Sequence, residues 1–204
     1  VKTGNYVFLL AISGTTLHGR RFDPLDPYNL GSPFTVVSDV AAAGVGDYRV
    51  SAFNSGAFIL VYKVTTAADF KLCYVLENKT LGNGSNGYAA PVTYSSSGET
   101  TYRCGALDVD TINSKIYFLI YKFGTNKILS LKGFNVDLTS YISEAAMVTS
   151  AVETIQNVGT VVTTTQIEIY YTTDILNYST GATVITQSHV VRRLVYTLAG
   201  AWVS

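Results

Sequence analysis

The side chains able to do chemistry are few, and their spacing limits what they can do. Two histidines stand in similar settings, Leu17-His18-Gly19-Arg20-Arg21-Phe22 and His189-Val190-Val191-Arg192-Arg193-Leu194. Structural zinc wants four ligands at short spacings, and catalytic zinc at least three. Two histidines at opposite ends of the chain and two cysteines inside apolar runs do not supply them. Cys73 and Cys104 read as small apolar residues of a core, with a bridge between neighbouring repeats as the alternative. No serine sits on a G-x-S-x-G elbow: Asn54-Ser55-Gly56 and Ser95-Ser96-Ser97-Gly98 are turn chemistry. Gly82-Asn83-Gly84 leads into more loop rather than a helix, so it is no phosphate cradle.

Carboxylates remain. A glycosidase needs a facing pair, and the candidates are Asp23, Asp26, Asp108 and Asp110. Asp23-Pro24-Leu25-Asp26-Pro27-Tyr28 reads as a rigid turn, because proline fixes φ and disfavours helix before it. The Ser-x-Asp-x-Gly-x-Thr-Trp box of sialidase blades is absent, and the single tryptophan is Trp202. Asp108-Val109-Asp110-Thr111-Ile112-Asn113 carries oxygen ligands but not the EF-hand spacing, and reads as a solvated loop. The expectation is a protein that is not an enzyme and uses no cofactor and no metal. Its function then lies in contact loops, with Tyr28, Asn83, Asn86, Tyr88, Asp108, Asp110 and Asn113 as candidates. The fifteen tyrosines suit protein interfaces or sugar stacking as well as packing between sheets.

These loops need a frame, and the frame is a strand-pair pattern that echoes at roughly fifty residues. Phe58-Ile59-Leu60-Val61-Tyr62-Lys63 is followed by a polar turn and Phe70 to Leu76; Tyr117 to Lys122 is followed by Lys127 to Phe134. Weaker copies open and close the chain, Tyr6 to Ile12 with Leu17 to Phe22, and Gln166 to Tyr171 with Val190 to Leu198. Ser13-Gly14-Thr15-Thr16, Thr65 to Asp69 and Gly124-Thr125-Asn126 occupy equivalent places and read as hairpin turns. The landmarks Tyr48-Arg49 and Tyr102-Arg103 open inner strands, the second followed by an inner hairpin loop at Asp108 to Asn113. Pro91 to Tyr94 and Ala145 to Thr149 are outer strands, preceded by linkers at Asn78 to Ala90 and Asn135 to Glu144. A short helix is conceivable only around Thr139 to Met147, where strand or turn fits as well.

The fold class expected is all-β: a β-propeller-like array of about four blades built from antiparallel four-stranded sheets, either part of a larger propeller or closing with imperfect ends. The blades are 1-40, 41-97, 98-150 and 151-204, the first lacking its inner strand and the last ragged. Together they form one propeller-type domain, a fragment of a longer chain. A β-sandwich or jelly roll is the rival, but it does not require the fifty-residue echo.

Composition narrows the partners. Lys plus Arg and Asp plus Glu number 14 each, which gives no overall pull toward nucleic acid or an anionic membrane. Charged residues are only 14% of the chain, so Ser, Thr, Gly, Asn and Tyr must cover its surface or neighbours must bury it. The apolar run Tyr6 to Ile12 is far shorter than the ~20 residues that span a bilayer.

The segment Leu9-Leu10-Ala11-Ile12-Ser13-Gly14-Thr15-Thr16-Leu17-His18-Gly19-Arg20-Arg21-Phe22-Asp23-Pro24 resembles blades of the bacteriophage tail nozzle, or tubular tail protein B. The likeness in style and period runs over most of the chain. WD40 and kelch patterns fit worse, since no Gly-His…Trp-Asp or double-glycine signature occurs. The resemblance implies a structural virion protein of the phage tail, a homo-oligomeric ring around the tail channel. Its implied partners are other virion proteins (a tail adaptor, a fibre or copies of itself), and DNA passes nearby without being read. The chain is shorter than a complete nozzle protein, which favours a propeller portion. The alternative function is a glycan- or receptor-binding propeller module that uses its Tyr and Asn/Asp loops.

Overall fold

The structure, a computed structural model, describes residues 1–41, 48–64, 69–95, 102–122, 127–150, 153–177 and 186–204. Every regular element among them is a strand, and no helix is long and apolar enough to cross a membrane. The strands form four antiparallel sheets in which neighbours in sequence are neighbours in space. The first sheet is β1 (Lys2–Thr3), β2 (Tyr6–Ser13), β3 (Thr16–Phe22) and β4 (Phe34–Val37); the second is β5 (Tyr48–Asn54), β6 (Ala57–Lys63), β7 (Asp69–Leu76) and β8 (Val92–Ser95). The third is β9 (Tyr102–Asp110), β10 (Lys115–Lys122), β11 (Lys127–Asn135) and β12 (Ser140–Ser150); the fourth is β13 (Glu153–Val162), β14 (Gln166–Asn177) and β15 (Thr186–Thr197).

The chain divides into two compact units. The first is Val1–Thr100 with the turn Asn135–Thr139, and the second is Thr101–Phe134 with Ser140–Ser204. In the first unit, Phe8, Leu17, Val36, Val37 and Val40 of one sheet and its flank pack on Phe58, Leu60, Tyr62, Cys73 and Val75 of the other. The Phe8 and Phe58 rings lie 5.1 Å apart between centroids, which fastens the two sheets at their middles. In the second unit, Tyr117, Leu119, Leu129 and Leu131 meet Ile155, Ile167, Ile169, Tyr171 and Tyr196. Alternation explains these faces, because odd and even residues of a strand point to opposite sides. On β14, Ile167, Ile169, Tyr171 and Thr173 go in while Glu168 and Tyr170 go out. The uninterrupted apolar run of β6 is instead buried at every position, as expected of a strand covered on both faces.

Several expectations need correction. The first sheet does have a fourth strand, the two-residue β1 at the edge beside β2, too short to announce itself by periodicity. The segment Asp108 to Asn113 is not an inner loop: β9 runs through Asp110 and pairs with β10 as far as Lys115, so the extra residues lengthen the hairpin. A bulge at Gly105, skipped between the Leu119–Ala106 and Ile120–Cys104 pairs, keeps the long hairpin in phase. The linker Asn135 to Glu144 is a tight turn followed by β12, and the helix weighed there is strand. The fourth sheet has three strands rather than four. After β15 the chain turns at Gly200 (φ +84°) and lays only Trp202 to Ser204 beside it, through the Tyr196–Trp202 bridge. The turns expected at Thr65 to Ala68 and Gly124 to Asn126 lie outside the described residues.

Candidate functional site

The loop between β7 and β8 builds a site in the first unit. Its tip, Gly82 to Tyr88, is folded by its own amides. Asn83 Oδ1 accepts hydrogen bonds from Ser85 N and Asn86 N at 3.0 Å each, and Asn86 Oδ1 accepts from Asn83 N and Tyr88 N. Asn86 Nδ2 donates to Leu81 O, and Gly84 N donates to Tyr88 O at 2.8 Å. The two asparagines therefore work inside the loop, where short amide side chains replace missing backbone partners.

That folding delivers Tyr88 onto β5 and β7. Its hydroxyl donates to Asn54 Oδ1 at 3.1 Å, and Asn54 Oδ1 also accepts from Gly56 N and Ala57 N in the β5–β6 turn. The Tyr88 ring meets Tyr74 at 5.3 Å and Phe53 at 6.5 Å between centroids, and Phe53 meets Tyr74 at 5.0 Å. Tyr74 is buried and donates its hydroxyl to Val136 O in the Asn135–Thr139 turn, which belongs to the first unit. Burial, then the nearby charge of Asp137, holds the Tyr74 phenol well above its ordinary range, so it stays a donor. Asp137 Oδ1 accepts from Thr139 N at 2.9 Å and from the Thr139 hydroxyl. The result is a cleft of about 360 Å³ lined by Phe53, Tyr74, Gly84, Gly87, Tyr88, Ala89, Val136 and Asp137. Gly84 and Gly87, at φ +81° and +82°, leave its rim open: a Cβ on either would meet nothing within 4 Å.

The other contact candidates lie elsewhere. Tyr28 is 96% exposed on the Asp23 to Pro33 loop, where Asp23 Oδ1 accepts from Leu25 N and successive turns close at Asp26 and Asn29. Asp110 is buried, its carboxylate accepting from Ile112 N, Asn113 N and Asn113 Nδ2. It pins the turn at Thr111 to Ser114 and leaves Ile112 as the exposed tip. Asp108 is half-buried and accepts from Val109 N and Val162 N, tying β9 to the end of β13. Asn83, Asn86 and Tyr88 come together in the β7–β8 loop and Asp108, Asp110 and Asn113 at the end of the β9–β10 hairpin, while Tyr28 stands apart. Phe53, Tyr74 and Asp137 are not among the residues that the sequence singles out; a signal existed in Phe53, an aromatic at the end of the edge strand β5 beside Asn54.

A second surface lies on the outer face of the fourth sheet. Val161, Tyr170 and Val191 are exposed there at 50%, 36% and 70%, around Gly159. An apolar depression of about 320 Å³ is lined by Asn157, Val158, Gly159, Tyr170, Tyr171, Thr172 and Val191. Beside it, Arg193 donates to both carboxylate oxygens of Glu168, at 3.1 and 2.9 Å, and the Tyr170 hydroxyl donates to the same group. Hydrogen bonds from Arg193, then Tyr170, hold the Glu168 carboxyl at about 2, well below its ordinary range.

Both cysteines are buried, with the Cys73 thiol pushed up to about 12 by burial. Among the described residues no group of three or more His, Cys, Asp or Glu gathers as a metal site would need. Compared with protein-family models and with curated proteins, the chain matches none.

Proposed function

We propose that this chain is a non-catalytic structural protein, a run of blade-like sheets that belongs to a propeller in a phage tail assembly of the nozzle kind. It works there through contacts with other virion proteins, foremost copies of itself. The observation that carries the reading is the outer face of the fourth sheet. Within each unit, meander sheets are held together by their apolar faces. The fourth sheet presents one more such face, with Val161, Tyr170 and Val191 uncovered around a glycine. Beside it stands a Glu168–Arg193–Tyr170 network already in its bonded geometry. Tyr and Arg next to a dry apolar patch are the residue types that dominate protein interfaces.

The outer face of the first sheet offers a counterpart, with Leu9 half exposed. Two different faces that meet head to tail generate a ring where the rotation closes. Balanced charge lets such a ring pass DNA without holding it.

Light scattering of the purified chain over a concentration series tests the contact, and immunogold labelling of purified tails tests the location. The expected outcome is an oligomer that Val191→Glu reduces to monomers, with label on the tail. A monomer at about 100 µM, a concentration ample for micromolar contacts, together with unlabelled tails, would overturn the proposal.

A further inference from the structure

We infer that the cleft walled by Phe53 and Tyr88, which pack over the buried Tyr74, binds a neutral saccharide. This site lies in the first unit and does not depend on the structural reading above.

Its chemistry comes from what lines it. Phe53 and Tyr88, both part-exposed, give it aromatic walls over the buried Tyr74, and one exposed carboxylate, Asp137, is its charged group. An aromatic face beside a carboxylate suits two ligand classes: a cation held over the rings, or a sugar laid with its C–H face on a ring and its hydroxyls on the acceptor. The ring geometry separates them. A cation cage holds its rings apart so that the charge sits among them. Here the centroids are 5.0, 5.3 and 6.5 Å apart, which is direct ring-to-ring packing. Nothing fits among them, and a ligand rests on the composite surface instead. Anionic ligands, including acidic sugars, meet the repulsion of Asp137 as well.

The cleft is also preorganised. Tyr88 is locked by Asn54, Tyr74 by Val136 O, and Asp137 by Thr139. Little side-chain freedom remains to be lost on binding, which favours affinity from few contacts. A volume of about 360 Å³ sits at the small end of pockets that hold organic ligands, which suits a short saccharide. The glycine rim at Gly84 and Gly87 leaves room for further sugar units to leave the cleft without a clash.

Saturation-transfer NMR with the intact chain tests this against neutral hexosides, N-acetylhexosamines, sialic acid and choline. Transfer from aromatic protons to at least one neutral sugar is expected, with none to sialic acid. Phe53→Leu and Tyr88→Leu are expected to weaken that binding roughly tenfold or more. Asp137→Asn, which keeps the acceptor for Thr139, should weaken it several-fold while the amide spectrum stays native. Val191→Glu, in the second unit, should bind as wild type does. The inference is overturned by an absence of transfer to every neutral sugar, by transfer to choline alone, or by equal binding in Asp137→Asn and whichever leucine variants fold.

Discussion

At Asp108 a carboxylate gives up part of its hydration to accept from Val109 N and Val162 N. Burial raises its pKa above the ordinary value; the two backbone hydrogen bonds offset this in part, and the charge of Asp110 adds to it. A raised folded-state pKa means the folded state binds the proton more tightly than the unfolded chain. The stability from this group is therefore complete below the unfolded pKa and is lost as pH rises through the folded one. Asp39 behaves oppositely. Burial would raise its pKa, but hydrogen bonds from Lys71 and Tyr62 and the Lys71 charge outweigh that and leave it lowered. Its contribution is present at neutral pH and is lost as acid protonates it. Melting midpoints of Asp108→Asn and Asp39→Asn, followed from about pH 7 down to about pH 3, should diverge: the Asp108 variant loses ground against wild type on acidification, and the Asp39 variant gains it. Parallel curves would refute both assignments. Cys73 and Cys104 give a simpler expectation. Thiols this buried are inert, so a thiol reagent should label both only when denaturant opens the fold.

Elements differ in how visible they are before folding. The central strands β6 and β10 announce themselves, because a short run of aromatic and branched apolar residues between turn signals, such as Phe58 to Tyr62, suits a strand covered on both faces. Tyr62 and Tyr121 are both buried, and replacing either with Ala should cost roughly 3 kcal/mol, read from denaturant midpoints. Glycines mark where elements touch closely. A Cβ on Gly19 would stand 2.6 Å from Phe34 Cζ and 3.1 Å from Val36 Cγ2, so Gly19→Ala should destabilise by about 1–3 kcal/mol through overpacking. Gly14→Ala meets no atom within 4 Å and should cost only the strain of φ +59°, about 1–2 kcal/mol. Equal losses would mean that the β3–β4 contact is looser than drawn. β1, the lengthening of the β9–β10 hairpin and the early start of β12, at Ser140 rather than Ala145, were hidden for a shared reason. Their boundaries depend on which partner strand reaches them, and alternation in a short or polar segment carries no information about that.

For the whole molecule, the face around Val191 sets the expected behaviour. If copies associate there, native chains are stabilised by mass action and the melting midpoint rises with protein concentration. Val191→Glu should remove that dependence while leaving the dilute-limit midpoint nearly unchanged, because the residue is exposed. Differential scanning calorimetry over a concentration series reads both. A wild-type midpoint independent of concentration would count against the contact.

Strand runs and hairpin order could be read from the chain, because side-chain alternation and turn chemistry act between near neighbours. Which loop groups remain for a ligand could not. Asn83, Asn86 and Asp110 look alike in sequence to any exposed polar residue, yet folding uses all three inside their own turns. The cleft exists because Phe53, Tyr74, Tyr88 and Asp137, from four separate segments, converge, and the burial that brings them together is a long-range packing decision. The same holds for Val191: its exposure follows from which face of the fourth sheet found a partner within its unit.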